Sequence, residues 1–376
     1  MVKTLVKSIE KEFNNLDIVL STNTNTGRSV AKRCFNGKKI FYFPLDLSWV
    51  VNKALNAIQP CCVILVELEI WPNFLISTAK MRIPVVLLNA RISERSLKWY
   101  RVLRKISKEF FAGLTKKENV FCARTEIDAS RLMNLGIPES QVGITGNMKY
   151  DNVVTDITED IKKRLLSLFG IGKGEKVIVC GSTHKGEEDV ILRIFQHLRE
   201  KIQNVRLILV PRHIERVNEV VTLIESLRFR CVRKTSLDKG EKISEPKAET
   251  VILVDTMGDL QITYSIADCV FVGKSLVPQG GQNMMEPAGL AKPVIVGPHT
   301  FNFREEVQLL KEADAIEIVQ DESALLNAMM YILECPDVAR EMGKRAQLVV
   351  INQRGATDRN VEALRKILLK ERTVSV

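Results

Sequence analysis

Short apolar runs alternate with amphipathic stretches along the whole chain, and this alternation predicts the fold. The apolar runs predict ten strands, at residues 17–20, 40–43, 62–66, 85–88, 120–123, 177–180, 205–210, 251–254, 269–272 and 293–296. Helical periodicity occupies the intervals, for example residues 187–201 and 214–227. Strands that are apolar throughout and separated by helices indicate parallel sheets covered on both faces.

The alternation restarts near residue 150, after the sequence Gly-Asn-Met-Lys-Tyr-Asp at 146–151. A chain of 376 residues is long enough for two domains. We therefore expect two doubly wound α/β domains, residues 1–150 and residues 151–376, with the C-terminal helices in the second. Because ligands of such sheets bind outside the carboxyl ends of the strands, residues directly after strands are the candidates for chemistry.

The positive charge is confined to the first of these domains. Residues 1–150 hold 23 Lys and Arg against 12 Asp and Glu, whereas the remaining 226 residues hold 32 and 33. The first domain is therefore expected to face an anionic partner. The hydrophobic share of 45% excludes a disordered or fibrous protein. We find no signal peptide and no apolar run of about 18 residues, so no membrane span is predicted.

Two motifs in the first domain follow strands. Glu67 and Glu69 stand directly after the run 62–66, beside Trp71, where carboxylates can bind a sugar hydroxyl or act as acid or base; capping of the next helix is the simpler alternative. Residues 91–117 carry nine Lys and Arg interleaved with aromatic residues, and Ser93 is a candidate helix cap. Such a stretch suits a membrane surface or a phosphorylated lipid, and a solvated helix face is equally compatible. No recognised motif supports nucleic-acid binding.

Three motifs in the second domain also follow strands. The motif at 181–188, with small residues and hydroxyls at the start of a helix, forms a candidate anion site, and Arg212 after the next strand could reach the same anion. The third motif, residues 273–287, is a glycine-rich loop that leads into a short helix carrying Asn283 and Glu286. We expect its backbone N–H groups to approach a phosphate and Glu286 to accept from ribose hydroxyls. Neither a dinucleotide fingerprint nor a P-loop is present.

Taken together, these motifs resemble the 3-deoxy-D-manno-octulosonic acid (Kdo) transferases of lipopolysaccharide assembly in Gram-negative bacteria. The resemblance runs in order through VELEIWPN, NARISERS, GNMKYD, GSTHKGEE, VPRH, DTMGDL, SLVPQGGQN with MEPAG, and GPHTFNF. It implies a GT-B glycosyltransferase with two Rossmann-like domains facing a cleft and no required metal or cofactor. The implied donor is CMP-Kdo, and the implied acceptor is a phosphorylated lipid A precursor.

The resemblance also implies roles for individual residues. Glu69 and Lys149 match the positions that stabilise the transition state. Contacts to the cytidine monophosphate are implied for Pro211, Arg212, Met257, Gly258, Asp259, Gln282, Asn283, Met284, Met285 and Glu286. Asp259 stands where the family more often has Glu.

One departure concerns the start of the chain. The family's general base is the glutamate of a Ser-x-Gly-Glu motif, which precedes the helix that here reads 2–13, so the first domain is expected to lack that motif, its first strand and the membrane anchor. We then expect a peripheral protein on the cytoplasmic face of the inner membrane that binds donor but transfers about 10²–10⁴-fold more slowly. Two alternatives stay open: a degenerate nucleotide-binding protein, and a GT-B transferase that uses another nucleotide sugar.

Overall fold

The computed structural model describes residues 1–243 and 249–374, with side chains described up to residue 368. The chain forms two compact units, Met1–Asn152 with Gln353–Val376, and Val153–Asn352. The strands, in chain order, are β1 (Leu20–Thr22), β2 (Ile40–Tyr42), β3 (Val63–Val66), β4 (Val85–Ala90), β5 (Val120–Ala123), β6 (Val142–Ile144), β7 (Lys176–Thr183), β8 (Val205–Pro211), β9 (Arg230–Arg233), β10 (Thr250–Leu253), β11 (Cys269–Val272), β12 (Val294–Val296) and β13 (Glu317–Ile318).

The helices alternate with these strands. They are α1 (Val2–Glu12), α2 (Asn25–Cys34), α3 (Ser48–Ile58), α4 (Pro72–Lys80), α5 (Glu94–Ile106), α6 (Lys108–Leu114), α7 (Glu126–Asn134), α8 (Glu159–Leu168), α9 (Glu187–Lys201), α10 (Val217–Ser226), α11 (Lys234–Leu237), α12 (Leu260–Tyr264), α13 (Met285–Gly289), α14 (Arg304–Glu312), α15 (Glu322–Glu334), α16 (Pro336–Asn352) and α17 (Ala356–Val374). Among the described residues, no helix has both the length and the apolar character needed to cross a bilayer.

The N-terminal unit contains two parallel sheets. One pairs β1 with β2, and the other has the order β3-β4-β5-β6. All six residues of β4 are buried, with Val85 and Leu87 in one apolar cluster and Val86 and Leu88 in another. Burial on both faces is what the continuous apolar runs predict for a parallel strand.

The last helix belongs to the N-terminal unit, whereas the predicted division at residue 150 placed it in the second domain. Leu364 and Ile367 of α17 join the apolar cluster that contains Val86 and Leu88 of β4, so this helix covers one face of the sheet. The carboxylate of Asp151 accepts from the backbone N–H of Thr357 at 2.6 Å, which secures the start of α17. Burial of an apolar helix face decides the assignment, and chain order does not reveal it.

The C-terminal unit is one seven-stranded parallel sheet with the order β13-β12-β11-β7-β8-β10-β9. From β7 the chain moves outward through β8, and it later returns to the other side of β7 with β11. The point where the strand order reverses is therefore the crevice between β7 and β11. Ligands of open α/β sheets bind outside the carboxyl ends of the strands at such a point.

All ten predicted strands overlap an observed strand, although the run 17–20 meets β1 only at Leu20. Three strands, β6, β9 and β13, were not predicted, and all three lie at the edge of their sheet. The residues of β6, Val142-Gly143-Ile144, are partly or fully exposed, and β9 begins and ends with arginine. These three strands lack the continuous apolar run by which a parallel strand is recognised, whereas β3, at the other edge of its sheet, has one.

Candidate functional site

Four non-glycine residues at the carboxyl ends of strands have a left-handed backbone. They are Glu67 after β3 (φ 67°), Asn89 in β4 (φ 54°), Ser182 in β7 (φ 55°) and Lys274 after β11 (φ 62°). Each such conformation costs about 1–3 kcal/mol and persists only where the surroundings impose it, which is common at functional sites. The strain therefore marks the carboxyl edge of both main sheets.

Glu69, in the loop after β3, is held in place by two donors. The indole N–H of Trp71 donates to its carboxylate at 2.5 Å, and the Asn23 side-chain amide, after β1, donates at 3.3 Å. Tyr100 of α5 lies near the same carboxylate, and burial together with the Glu69 charge raises the pKa of Tyr100 to about 12. The loops after β1 and β3 thus converge on Glu69, and its catalytic role stays a prediction.

Lys149 is paired with Glu67 and not with Glu69. The Lys149 Nζ lies 3.0 Å from Glu67 Oε1, and both side chains are about half exposed. The buried side chain of Asn89 accepts from the backbone N–H of Met148 at 2.9 Å, which ties the segment that carries Lys149 to the end of β4. The sequence suggests that Glu67 binds a sugar hydroxyl, acts as acid or base, or caps the next helix, but it does not reveal the pairing with Lys149, because ion-pair partners 82 residues apart are not visible in the sequence.

The basic stretch 91–117 forms α5 and α6. Ser93 caps α5 by accepting from the backbone N–H of Ser96 at 3.1 Å, as predicted. Apolar side chains are exposed on α5 among its basic residues: Trp99 is 58% exposed, Val102 59% and Ile106 74%. A helix surface that is both basic and apolar favours contact with an anionic amphiphile, because a helix face that only meets water has no need of exposed apolar side chains.

The crevice of the C-terminal unit is narrow because glycines line it. A Cβ on Gly181 of β7 would lie 2.0 Å from the Tyr264 hydroxyl oxygen, and a Cβ on Gly273 would lie 2.6 Å from the Cα of Thr183. Neither position accepts a side chain without movement of its neighbours. The two strand ends therefore approach closely at the point where the strand order reverses.

Glu286 of α13 lies near enough to Arg212 for the two charges to interact. Burial raises the pKa of Glu286, while a hydrogen bond from Asn283 and the positive charge of Arg212 lower it. The Asn283 amide donates to Glu286 at 3.1 Å, and its oxygen accepts from the backbone N–H of Met285 at 3.2 Å. Asn283 thus both starts α13 and orients the carboxylate.

The other predicted donor contacts differ in accessibility. Met257 is 89% exposed, and its neighbour Gly258 has a left-handed backbone. The Asp259 carboxylate lies 3.3 Å from the Lys234 Nζ, so it is already paired with a cation. Pro211 is buried, Gln282 is partly buried, and the side chains of Met284 and Met285 are buried at 0% and 2% exposure. The two methionines can reach a ligand only through their backbone.

The glycine-rich loop differs from expectation in one respect. The backbone N–H groups of Lys274, Ser275 and Leu276 donate to the carboxylate of Glu187, so they do not face an empty phosphate site. Sequence reasoning missed Glu187, because it stands 86 residues before Gly273 in a motif that we assigned to a separate anion site.

Two histidines, His184 and His213, lie against each other at this edge. The His184 ring lies edge-on to His213 with centroids 5.3 Å apart, and its Nδ1 is 3.2 Å from the carbonyl oxygen of Ser182. Burial lowers the pKa of His184, and the nearby Lys274, His213 and Arg216 lower it further. The part of the chain that the structure describes contains no group of three or more His, Cys, Asp or Glu side chains that could hold a metal ion.

Comparison with known proteins identifies relatives along nearly the whole chain. Residues 1–152 match the sequence model of the 3-deoxy-D-manno-octulosonic-acid transferase (kdotransferase) family. The 3-deoxy-D-manno-octulosonic acid transferase of Haemophilus influenzae is 33% identical over 368 residues, which is 97% of this chain and 83% of the relative. A bifunctional glycosyltransferase/methyltransferase of Fusobacterium nucleatum is 34% identical over 79% of this chain and 46% of its own length.

Solved structures agree with the fold. A glycosyltransferase from Rickettsia africae superposes with a TM-score of 0.61 at 15% identity, covering 98% of this chain and 95% of the other. The UDP-GlcNAc 2-epimerase of Neisseria meningitidis gives 0.62 at 17% identity, covering 97% and 96%. The predicted GT-B fold class, with two parallel-sheet units, is confirmed. Because the 33% identical relative from Haemophilus influenzae aligns over 97% of this chain and 83% of its own length, this chain belongs to the 3-deoxy-D-manno-octulosonic acid transferase family of glycosyltransferases.

Proposed function

We propose that this chain transfers Kdo from CMP-Kdo to a phosphorylated lipid A precursor such as lipid IVA, with inversion, in lipopolysaccharide biosynthesis. The observation that carries the proposal is the partly buried Glu286, oriented by the Asn283 amide at 3.1 Å at the start of α13, with the Arg212 charge near enough to lower the pKa of its carboxyl group. A cation and an oriented carboxylate suit a nucleoside monophosphate, because the cation can bind the anionic phosphate and the carboxylate can accept from the ribose hydroxyls.

In this proposal the C-terminal unit binds the leaving group. The Arg212 guanidinium donates to the phosphate oxygens, a geometry in which arginine forms strong charge-assisted hydrogen bonds. Glu286, oriented by Asn283, accepts from ribose hydroxyls. Met257 and Gly258 offer exposed surface and backbone groups to the base.

The N-terminal unit supplies the charges that act on the reacting sugar. The acceptor hydroxyl oxygen forms a bond to the anomeric carbon and gives up its proton to a base, while the bond from that carbon to the phosphate oxygen breaks. CMP departs with the bonding electron pair. Lys149, held by Glu67, offsets the negative charge of the sugar carboxylate or of the departing phosphate. Glu69, held by Trp71, stabilises positive charge that develops on the sugar ring.

The acceptor reaches the N-terminal unit from a membrane surface. The basic residues of α5 attract phosphorylated and acidic lipid head groups, and the exposed Trp99, Val102 and Ile106 enter the head-group region. The protein then works as a peripheral protein on the cytoplasmic face of the inner membrane. No nucleic-acid partner, metal or cofactor is part of this proposal.

A transfer assay with nucleotide competition tests the proposal. The purified chain is incubated with CMP-Kdo and lipid IVA in vesicles, and CMP or UMP is added as inhibitor. We expect a Kdo-modified lipid whose formation CMP inhibits at least about tenfold more strongly than UMP does. A dephosphorylated acceptor should be a poor substrate. Preference for uridine nucleotides contradicts the donor assignment, and equal use of the dephosphorylated acceptor contradicts the acceptor assignment.

A further inference from the structure

Glu187, the first residue of α9, lies fully buried with its carboxylate among backbone N–H groups. One carboxylate oxygen accepts from His184 N at 2.9 Å and from Lys274 N at 2.6 Å. The other accepts from Ser275 N at 2.9 Å and from Leu276 N at 3.0 Å. The side chain therefore connects the loop after β7 with the loop after β11, across the crevice where the strand order reverses.

Burial of a carboxylate is costly unless hydrogen bonds replace its water. Burial raises the pKa of Glu187, and the four backbone N–H groups oppose that shift. Consecutive backbone N–H groups that converge on one point form an anion-binding concavity. Here the protein's own carboxylate occupies that concavity.

The conformation of residues 273–276 depends on this carboxylate. A Cβ on Gly273 would lie 2.8 Å from Glu187 Oε2, so the loop passes directly against the side chain. Lys274 adopts a left-handed backbone at the point where its N–H meets the carboxylate. Without an acceptor here, three adjacent buried N–H groups would have no partner, and the left-handed Lys274 would be strained without compensation.

The same loop leads to the proposed donor-binding residues. The backbone N–H of Gly281 donates to the carbonyl oxygen of Lys274 at 2.7 Å, so the chain folds back onto the segment that Glu187 holds. Two residues later Asn283 starts α13 and orients Glu286. The position of Glu286 therefore follows from the position of residues 273–276.

We propose that Glu187 is a positioning residue for the donor site: it acts as an internal anion that sets the conformation of residues 273–276 and thereby the placement of Asn283 and Glu286. It does so without touching the donor itself. This inference rests on the proposed function, in which residues 282–286 bind cytidine monophosphate.

Glu188 provides a matched control. It is the next residue, is 1% exposed and also carries a carboxylate, but it pairs with the side chain of Arg216 at 3.0 Å. The Glu188 carboxylate accepts from Arg216 and not from the backbone of residues 273–276. Loss of the Glu188 charge should destabilise the unit as loss of a buried ion pair does, without moving the donor-binding segment.

The experiment measures CMP binding by calorimetry, thermal unfolding, and hydrogen exchange for wild type, Glu187→Gln, Glu187→Asp and Glu188→Gln. Glutamine keeps the shape but turns one acceptor into an N–H₂ donor that faces backbone donors. We expect Glu187→Gln to weaken CMP binding about tenfold or more and to speed exchange at the amides of 274–276, with Glu188→Gln within about twofold of wild type. In the transfer assay, Glu187→Gln should raise the KM for donor and leave the KM for acceptor unchanged.

Each outcome decides between the two proposals. Wild type that does not bind CMP overturns the proposed function itself. If wild type binds CMP, two results overturn the positioning role alone. One is an unchanged CMP affinity in Glu187→Gln, and the other is an equal loss of CMP affinity in Glu187→Gln and Glu188→Gln. If Glu187→Gln does not fold, Glu187→Asp decides, because it keeps the charge but shortens the reach; wild-type CMP affinity and wild-type exchange at 274–276 in that variant overturn the inference.

Discussion

The two units present their candidate residues in opposite ways. In the N-terminal unit, the Lys149–Glu67 pair is half exposed, and the side chains of Trp99 and Ile106 are exposed to solvent. In the C-terminal unit, Glu187 and Ser275 are fully buried, and the Tyr264 ring lies so close to Gly181 that this position cannot carry a side chain without movement. A rigid, buried edge suits one small ligand of defined shape, whereas an open, charged surface suits a large amphiphile. The difference supports a division of labour between donor and acceptor.

The charges follow the same division. Residues 1–152 and 353–376 together hold 29 Lys and Arg against 16 Asp and Glu, and residues 153–352 hold 26 against 29. The return of α17 to the N-terminal unit sharpens the asymmetry, because the segment from residue 353 adds more basic than acidic residues. A partner with many negative charges is therefore expected on the N-terminal unit alone.

The largest effect should come from neutralising the basic surface of α5. The variant changes four exposed residues to Ala: Lys98, Arg101, Arg104 and Lys105. At about 1 kcal/mol per charge near an anionic bilayer, binding to anionic vesicles should fall about 100-fold or more, and CMP binding should not change. Co-sedimentation with vesicles measures the first quantity and calorimetry the second.

The control for this variant removes the same charge from the C-terminal unit. It changes four exposed residues there: Lys163, Arg164, Lys173 and Lys201. Arg104 also stacks over the Phe111 ring at 5.0 Å, so a small loss of stability is expected in the α5 variant. Equal loss of vesicle binding in both variants would show that net charge matters and that the position of the charge does not.

Lys149→Ala should have the next largest effect, and on rate rather than stability. Loss of one cation that stabilises the transition state should slow transfer about 100-fold. Because the Lys149–Glu67 pair is half exposed, the free energy of unfolding should change by less than about 1 kcal/mol. Single-turnover kinetics and thermal unfolding separate the two quantities. Lys38→Ala removes another ion pair of the same unit, with Glu10, and should leave the rate unchanged; a Lys149→Ala rate within about threefold of wild type would refute the assignment.

Gly181→Ala should break the rigid edge of the C-terminal unit. The added Cβ would lie 2.0 Å from the Tyr264 hydroxyl oxygen, and overpacking of this kind costs about 2 kcal/mol. Thermal unfolding measures this loss, and calorimetry should report weaker CMP binding. Gly143→Ala, in β6 of the N-terminal unit, meets nothing within 4 Å and serves as the control. Equal stability of the two variants would mean that the crevice relaxes more freely than its packing indicates.

Glu286→Gln should have the smallest effect, and it should stabilise the fold. Because burial raises the pKa of Glu286 in the folded state, the stability present at low pH is lost as the pH rises through that pKa. Glutamine removes this loss, so at pH 7 the Tm should rise by about 1–2 °C while CMP binding weakens. Glu322→Gln should act in the opposite direction, because Arg193 lowers the pKa of Glu322. A fall in the Tm of Glu286→Gln at pH 7, with no change at pH 4, would mean that folding lowers the pKa of Glu286 instead of raising it.

Most of the strands could be predicted because they are continuous apolar runs. The apolar runs at 85–88 and 269–272 are buried on both faces, and their hydrophobicity alone reveals them. The strands β6, β9 and β13 lie at sheet edges and could not be recognised in this way. The place of α17 could not be predicted either, because an apolar helix face shows that a helix packs but not against which sheet.

The residue types of the candidate site could be predicted more fully than the hydrogen-bond and ion-pair partners of those residues. Arg212, Asn283 and Glu286 follow strands, and in the structure Asn283 donates to Glu286 while the Arg212 charge lowers the pKa of that carboxyl group. The pairing of Lys149 with Glu67 and the burial of Glu187 among backbone N–H groups were missed. Both depend on side-chain reach between loops that are far apart in sequence.

The amino-acid sequence by itself determined the family, the alternation of strands and helices, and the confinement of net positive charge to the first part of the chain. These properties follow from local hydrophobic pattern, composition and ordered motifs, which need no knowledge of contacts. Only the tertiary structure decided which unit α17 covers, which carboxylate pairs with Lys149, and which anion fills the glycine-rich loop. The physical reason is the same in each case. Burial and hydrogen bonding depend on distances in space, and a loop of backbone N–H groups donates to whichever anion the fold brings within about 3 Å.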